Sequence, residues 1–307
     1  MMDRLEQKDG SGLGGVDLAG CEALLIAGPT ASGKSAKAMA IAKAAGGVVI
    51  NADSMQIYDG PRILTARPSL DEEAEVEHQL YGVIDPATAF SAGDYVRLVS
   101  PVLEKLRAQK RLAVIVGGTG LYFNALTRGL VDMPEISRET VARVEAMSAS
   151  GEKLHDWLLA HDPVMASRLS PADTPRLQRA VAVMLETGRS LSLWQDKSTA
   201  SVLPQGRWQG VFLAPDRPTL YARIDARFHA MIAAGALDEA RTIQALALPA
   251  NRGIMKSHGM PHLIAYLEGR LSLDEAIRLG QQDTRNYAKR QFTWARRFMA
   301  EWRWLEV

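Results

Sequence analysis

The spacing of apolar and polar positions changes several times along the chain, and each change marks an element. ALLIAG (23–28), GGVVINAD (46–53) and RLAVIVGG (111–118) are short apolar runs ending in glycine or an acid. Runs of that length and boundary read as buried strands. SAKAMAIAKAA (35–45), rich in alanine and lysine, reads as a helix between the first two. Residues 91–109 carry apolar positions at a period near 3.6, and TGLYFNALTRGL reads as a loop followed by a helix. Strand–helix alternation predicts a parallel sheet covered on both faces, an α/β fold. From about Asp132 to Gly206 only helical stretches occur, among them ETVARVEAMSA, EKLHDWLLAHD and TPRLQRAVAVMLETG. GVFLAP (210–215) returns to strand character, and the rest, from YARIDARFHAMIAAG onward, reads as helical to the end. The implied organisation is a loose leader over 1–21, a core over 22–131 plus 207–307 with C-terminal helices, and an inserted all-helical domain over 132–206.

The totals narrow the classes. A net charge of +1 does not announce a nucleic-acid binder, so any basic surface has to be local. The single cysteine, Cys21, excludes an intrachain disulfide and fits a reducing compartment. No apolar run approaches the roughly 20 residues of a membrane helix. The N-terminus has no apolar signal-peptide core either. A cytoplasmic protein is expected.

GPTASGKS (28–35) fits G-x-x-x-x-G-K-[ST] at every fixed position, after a strand and opening a helix. Gly28 and Gly33 allow a tight curl. The amides from about Ala31 to Ser35 then point at phosphate oxygens, at the positive end of the helix. Lys34 adds a point charge, and Ser35 is the candidate ligand of Mg²⁺. The expected core is therefore P-loop NTPase-like. The loop alone selects no chemistry. A hydrolase needs an acid at the end of a second apolar strand, and only Asp53 offers one, since LAVIVGGTG ends in glycines. Asp53 opens DSMQ, a polar cluster at the sheet edge where ligands bind in open α/β folds. Gln56 can donate and accept, which suits an amide-like or purine edge. The plainer alternative is a turn capped by the aspartate.

Taken together, GPTASGKS, NADSMQIY, TARPS (65–69), HQLYGVIDP (78–86), FSAGDY (90–95) and VGGTGLY (116–122) occur in an order that resembles the tRNA dimethylallyltransferases of the IPP transferase family. RLQRAVAV (176–183), YARIDARFHAMIAAG (221–235) and NYAKRQFTWAR (286–296) extend the resemblance to roughly residues 22–300. It implies transfer of a dimethylallyl group from dimethylallyl diphosphate to the exocyclic amine of the adenosine 3′-adjacent to a tRNA anticodon, with release of pyrophosphate. The partners implied are dimethylallyl diphosphate and a tRNA anticodon stem-loop, with no membrane and no protein partner. Gly28, Pro29, Thr30, Ala31, Ser32, Gly33, Lys34 and Ser35 would hold the diphosphate, with Mg²⁺ on Ser35. Asp53 would accept the amine proton, Thr119 would stand near the reacting carbon, and Arg227 would reach the diphosphate. Asp53, Ser54, Met55 and Gln56, then Pro175, Arg176, Leu177, Gln178 and Arg179, and finally Lys289 and Arg290, match stretches that touch tRNA. Two other readings share the loop and the aspartate, a prenyltransferase acting on a free adenine nucleotide and a small-molecule kinase, and a third is a non-enzymatic nucleotide-sensing module.

The C-terminal stretch places Arg285, Lys289, Arg290, Arg296, Arg297 and Arg303 among Tyr287, Phe292, Trp294, Trp302 and Trp304. The aromatics read as the core face of an amphipathic helix. The cations read, on the resemblance, as phosphate contacts. The chain departs from the family pattern in two places. Val141 stands where many members carry an arginine, with Arg138 and Arg143 close by. NRGIMKSHGMPHL matches loosely; Lys256 and His258 are candidates for RNA there, although His258 alone reads as structural or solvated. One cysteine cannot build the zinc module of some relatives.

Overall fold

The computed structural model describes residues 16–131, 133, 135–195 and 200–307. Six strands, β1 (Ala23–Ala27), β2 (Val48–Asn51), β3 (His78–Gln79), β4 (Ala113–Gly117), β5 (Trp208–Leu213) and β6 (Arg303–Leu305), form one parallel sheet in the order β3-β2-β4-β1-β5-β6. The apolar runs of the sequence account for β1, β2, β4 and β5. Every residue of β1, β2 and β4 is buried, as strands covered on both faces must be.

Side chains alternate between two apolar layers. Leu24, Ile26, Val49, Val114 and Val116 face the helix Lys34–Ala45 through Ala38, Ile41 and Ala42. Leu25, Ile50 and Ile115 face the other layer, built from Tyr95, Val99, Leu103 and Phe123 and from the C-terminal helices. The helix Ala92–Ala108 is started by a capping box: Ser91 Oγ accepts from Asp94 N, and Asp94 accepts from Ser91 N. The long helix Leu273–Phe298 is started by Ser272, which accepts from Glu275 N. Its buried positions, Ile277, Gly280, Gln281, Ala288, Gln291 and Ala295, repeat at three and four residues and form one stripe.

Two expectations change. The chain does not stay helical to its end. The last helix stops at Phe298, and Arg303–Leu305 pairs with Val211–Leu213, with Trp304 packed on Phe212 at 4.5 Å between ring centres. Three residues are too few to show a period, and so are the two of β3. The leader expected over 1–21 lies mostly outside the described residues. Its last part is packed rather than loose, because Leu18 is buried against the sheet beside Ile41 and Val211.

The chain folds into two compact units, one running to Thr127 and resuming at Val202, the other Arg128–Ser201. The periodicity put the corresponding changes at 132 and 206. Apart from its connecting segments, the smaller unit is built of helices among its described residues. Its helices Arg138–Ala149, Leu154–His161, Pro163–Arg168 and Thr174–Thr187 enclose a core of their own around Val144, Leu158, Met165, Leu177 and Val181.

Close backbone approach at the carboxyl end of β4 requires Gly117. A Cβ there would overlap the carbonyl of Ala52, which lies on the neighbouring chain segment and is itself backbone. Gly117→Ala is therefore expected to destabilise the larger unit by about 1–3 kcal/mol, the usual range for forced overpacking, read as a lower urea midpoint at unchanged slope.

Candidate active site

The chain leaves β1 for β2 on one side of the sheet and leaves β4 for β5 on the other, so the order reverses between the adjacent strands β1 and β4. Ligands of open α/β sheets bind in the crevice at such a point, outside the strands' carboxyl ends. Three segments meet there: GPTASGKS after β1, DSMQ after β2 and GGTG after β4.

The first segment curls as its glycines predict. Gly33 has φ 83° and precedes the helix Lys34–Ala45. Ala31 also adopts a left-handed φ of 64°, a costly backbone state for alanine that the loop imposes. The Ser32 amide donates to Pro29 O at 3.2 Å, so of the five amides expected to face phosphate this one is engaged within the loop. Ser32 Oγ is buried and has no hydrogen-bond partner, an orphan that calls for an acceptor. Lys34 Nζ folds back onto Pro29 O at 3.2 Å. Pro29 is buried, and Ser35 is exposed in the first turn of the helix.

Asp53 is held from both sides. The buried Asn51 accepts its N–H at 2.8 Å and donates to its carbonyl and to Leu80 O. Asp53 Oδ1 accepts from Met55 N at 2.9 Å, the capped turn of the plainer reading, while Oδ2 points toward Gly118. A capped turn and a fixed carboxylate are thus one feature. Ser54 is tied to Thr119: its N–H donates to Thr119 Oγ1 at 2.9 Å, and Thr119 Oγ1 donates to Ser54 Oγ at 3.2 Å. Gln56 uses both amide hydrogens on the carbonyls of Thr65 and Ala66. Its side chain holds the 62–66 segment and leaves only its oxygen for a base.

Two cavities open at this edge. One, of about 70 Å³, is lined by Thr30, Asp53, Arg227, His258, Tyr287 and Gln291, among others. Arg227 reaches it from the helix Arg217–Ala233; Arg223, one turn away, is exposed and outside it. The other cavity, about 170 Å³, is more apolar, with Gly118, Thr119, Phe212, Trp294 and Met299 in its wall. Tyr287 and Gln291, one helical turn apart, line both.

The charges in and beside the first cavity sense one another. Burial pushes the Lys34 ammonium down to about 8, with Asp53 opposing and Arg227 assisting. The side chain as a whole remains partly accessible, but its ammonium is enclosed by the loop. Burial also lowers Arg227, again against Asp53. Burial lowers His258 below its usual value, so a neutral imidazole faces the cavity near pH 7. Its ring lies on Tyr287 at 4.4 Å between centres. His258 is therefore a wall residue of the cavity, not a solvated one. Burial and the Asp53 charge raise the Tyr287 phenol, which keeps its proton and lines the second cavity with Thr119.

The remaining candidates are divided between the two units. On the helix Thr174–Thr187 of the smaller unit, Pro175 is at the first turn, and Arg176 is exposed and paired with Asp173 at 3.1 Å. Arg179 is exposed and Gln178 partly so. Leu177 is 3% exposed in that unit's core, so its side chain is withdrawn from RNA and serves to orient its neighbours. Arg138, Val141 and Arg143 are all exposed on the helix Arg138–Ala149. Lys289 is exposed, and Arg290 lies over the Tyr287 ring at 5.5 Å. Arg285, expected among the phosphate contacts, is instead paired with Asp225. Phe292, Trp294, Trp302 and Trp304 pack on the main core.

Sequence reasoning missed Asn51 and Gln291. Asn51 leaves a signal, a polar residue closing an apolar strand. Gln291 leaves none, because its partners are 261 and 173 residues away.

Fold and edge together define a P-loop α/β protein with a helical unit between β4 and β5. The IPP transferase family model matches residues 56–298, and the chain belongs to that family. A Rhodopseudomonas palustris tRNA dimethylallyltransferase is 50% identical over 285 residues, 92% of this chain and 89% of that protein. One from Nitrobacter hamburgensis is 50% identical over 96% of this chain and 94% of its own length. The crystal structure of a full-length tRNA isopentenylpyrophosphate transferase from Bacillus halodurans superposes with a TM-score of 0.67 at 32% identity, covering 93% of this chain and 89% of that one.

A diphosphate ester binds better to the protonated lysine. With the ligand-free ammonium at about 8, affinity is flat below that pH and falls above it, by up to about tenfold per unit. Titration of dimethylallyl diphosphate binding from pH 7 to 9.5 is expected to show this bend, and Lys34→Arg, which does not titrate there, is expected to remove it.

Proposed function

We propose that this chain transfers a dimethylallyl group from dimethylallyl diphosphate to the exocyclic amine of the adenosine 3′-adjacent to a tRNA anticodon, releasing pyrophosphate. Family membership and the relatives' activity support the reading. The observation that carries it is the arrangement of one fixed carboxylate, Asp53, in a cavity whose other charged side chain is the cation Arg227, beside a P-loop whose Lys34 senses both.

The chemistry follows from those residues. An allylic carbon–oxygen bond ionises readily once the leaving diphosphate is neutralised. Loop amides, Lys34 and Arg227 supply fixed positive charge where negative charge develops. Adenosine's amine is a weak nucleophile, because its lone pair is delocalised into the ring. Asp53 Oδ2 accepts the proton as the new carbon–nitrogen bond forms, while Met55 N holds Oδ1 in place. Thr119, positioned by Ser54, orients the reacting carbon. The neutral His258 and the protonated Tyr287 add no charge that competes with Asp53.

Mg²⁺ fits this donor set. Among the described residues no three His, Cys, Asp or Glu side chains converge on a cation position. Ser35 offers one hard hydroxyl in the first turn of the helix, and Ser32 Oγ, three residues earlier in the loop, lies buried and unpartnered. A small hard ion that takes its other ligands from phosphate and water suits one protein hydroxyl. When bound, it would neutralise the diphosphate.

The target base has to leave its stack to reach Asp53. Arg176 and Arg179 of the smaller unit, and Lys289 and Arg290 of the long helix, are the cations we assign to tRNA phosphates, with Ser54, Met55 and the Gln56 oxygen near the base. No helix among the described residues is long and apolar enough to cross a membrane. We infer a cytoplasmic location, where tRNA is found.

Asp53→Asn keeps the oxygen that accepts from Met55 and loses the base. With unmodified tRNA and dimethylallyl diphosphate it is expected to lower kcat by about 10²–10⁴-fold with the donor KM little changed. A variant that transfers at the wild-type rate would remove Asp53 from the mechanism.

A further inference from the structure

β1 and β4 stay paired only as far as Ala27 and Gly117. Beyond that point they become two loops, one holding the leaving group and one carrying Thr119, and something has to fix the gap between them. Gln291 occupies it. Its side chain reaches down from the long C-terminal helix and is 8% exposed. Its amide oxygen accepts from Thr30 N at 3.3 Å, and its amide nitrogen donates to Gly118 O at 2.9 Å. Only one orientation of the amide serves both partners, because one offers a hydrogen and the other a lone pair. Gly118 is part of the fit: a Cβ there would collide with Gln291 Nε2. One turn earlier on the same helix, Tyr287 shares a cavity wall with Thr119. The helix therefore touches both loops from a single face.

We propose that Gln291 is a positioning residue, a two-ended latch that sets the distance between the diphosphate loop and the Thr119 loop. It touches neither reacting atom in this role. It acts through Thr30 and Gly118, keeping the leaving oxygen in line with the acceptor. Glutamine is required by chemistry as well as length. Glutamate keeps the acceptor for Thr30 but has no hydrogen for Gly118 O, methionine fills the space with neither bond, and asparagine is one methylene short.

The inference rests on the proposed transfer reaction, and the test separates the two. Wild type, Gln291→Met and Gln291→Glu are compared for thermal unfolding, for transfer to tRNA, and for amide hydrogen exchange over residues 28–35 without ligands. The expected result is folded variants with kcat lowered about 10–100-fold, the cost of a misplacement near 1 Å. The donor KM should stay within about threefold, and loop exchange should be faster. The glutamate variant keeps the assay informative should the methionine variant fail to fold. Wild-type kcat and wild-type exchange in a folded variant would overturn the latch. A lower kcat with unchanged exchange would also overturn it, and would assign Gln291 a direct substrate contact. Wild-type protein that transfers nothing to tRNA would defeat the functional reading instead, while the exchange measurement would still decide the latch.

Discussion

The parallel pairing of β1 with β4 at the centre of the sheet is the constraint on which the site depends. Because the chain departs from these two neighbours in opposite directions, their carboxyl ends leave a crevice that neither of their own connections covers. The fully buried valine, isoleucine and leucine residues of β1, β2 and β4 fix the register, since a slip of one residue would exchange the two apolar layers. The register in turn fixes which residues emerge at the edge. Gly28, Asp53 and Thr119 can work on one substrate because each lies within two residues of the end of its strand.

What happens at that edge is set by scarcity of water. Lys34 and Arg227 are both lowered by burial, and the Asp53 carboxylate opposes that shift at each. Burying such groups is costly in the free protein. The same low dielectric strengthens their hold on an anion, so the unliganded site is poised for negative charge. Ala31 in a left-handed conformation and the unpartnered Ser32 hydroxyl belong to the same picture, local cost concentrated where a ligand would relieve it.

Much of this was legible in the sequence, for physical reasons that can be named. A buried parallel strand has to be a continuous apolar run, so β1, β2, β4 and β5 stand out. A loop that curls around phosphate needs glycines at fixed positions, so residues 28–35 stand out too. The two- and three-residue strands β3 and β6 are too short to carry a period. Arg285 and Leu177 show the limit of reading cations and motifs by type: one arginine is consumed by Asp225, and one residue of RLQR is core. Gln56 has the composition of a base reader but uses its hydrogens on backbone. Gln291 is polar on the buried stripe of a helix, and only the crossing of that helix over two distant loops gives it a task.

The most direct test of the central claim locates the product. Purified protein, Mg²⁺, dimethylallyl diphosphate and unmodified tRNA are incubated together, with AMP in a parallel tube, and the tRNA is digested and its nucleosides identified by mass spectrometry. The account predicts one N6-dimethylallyladenosine, at the adenosine 3′ to the anticodon, with AMP unchanged. Modified AMP beside unmodified tRNA, or a tRNA prenylated on another atom, would contradict it.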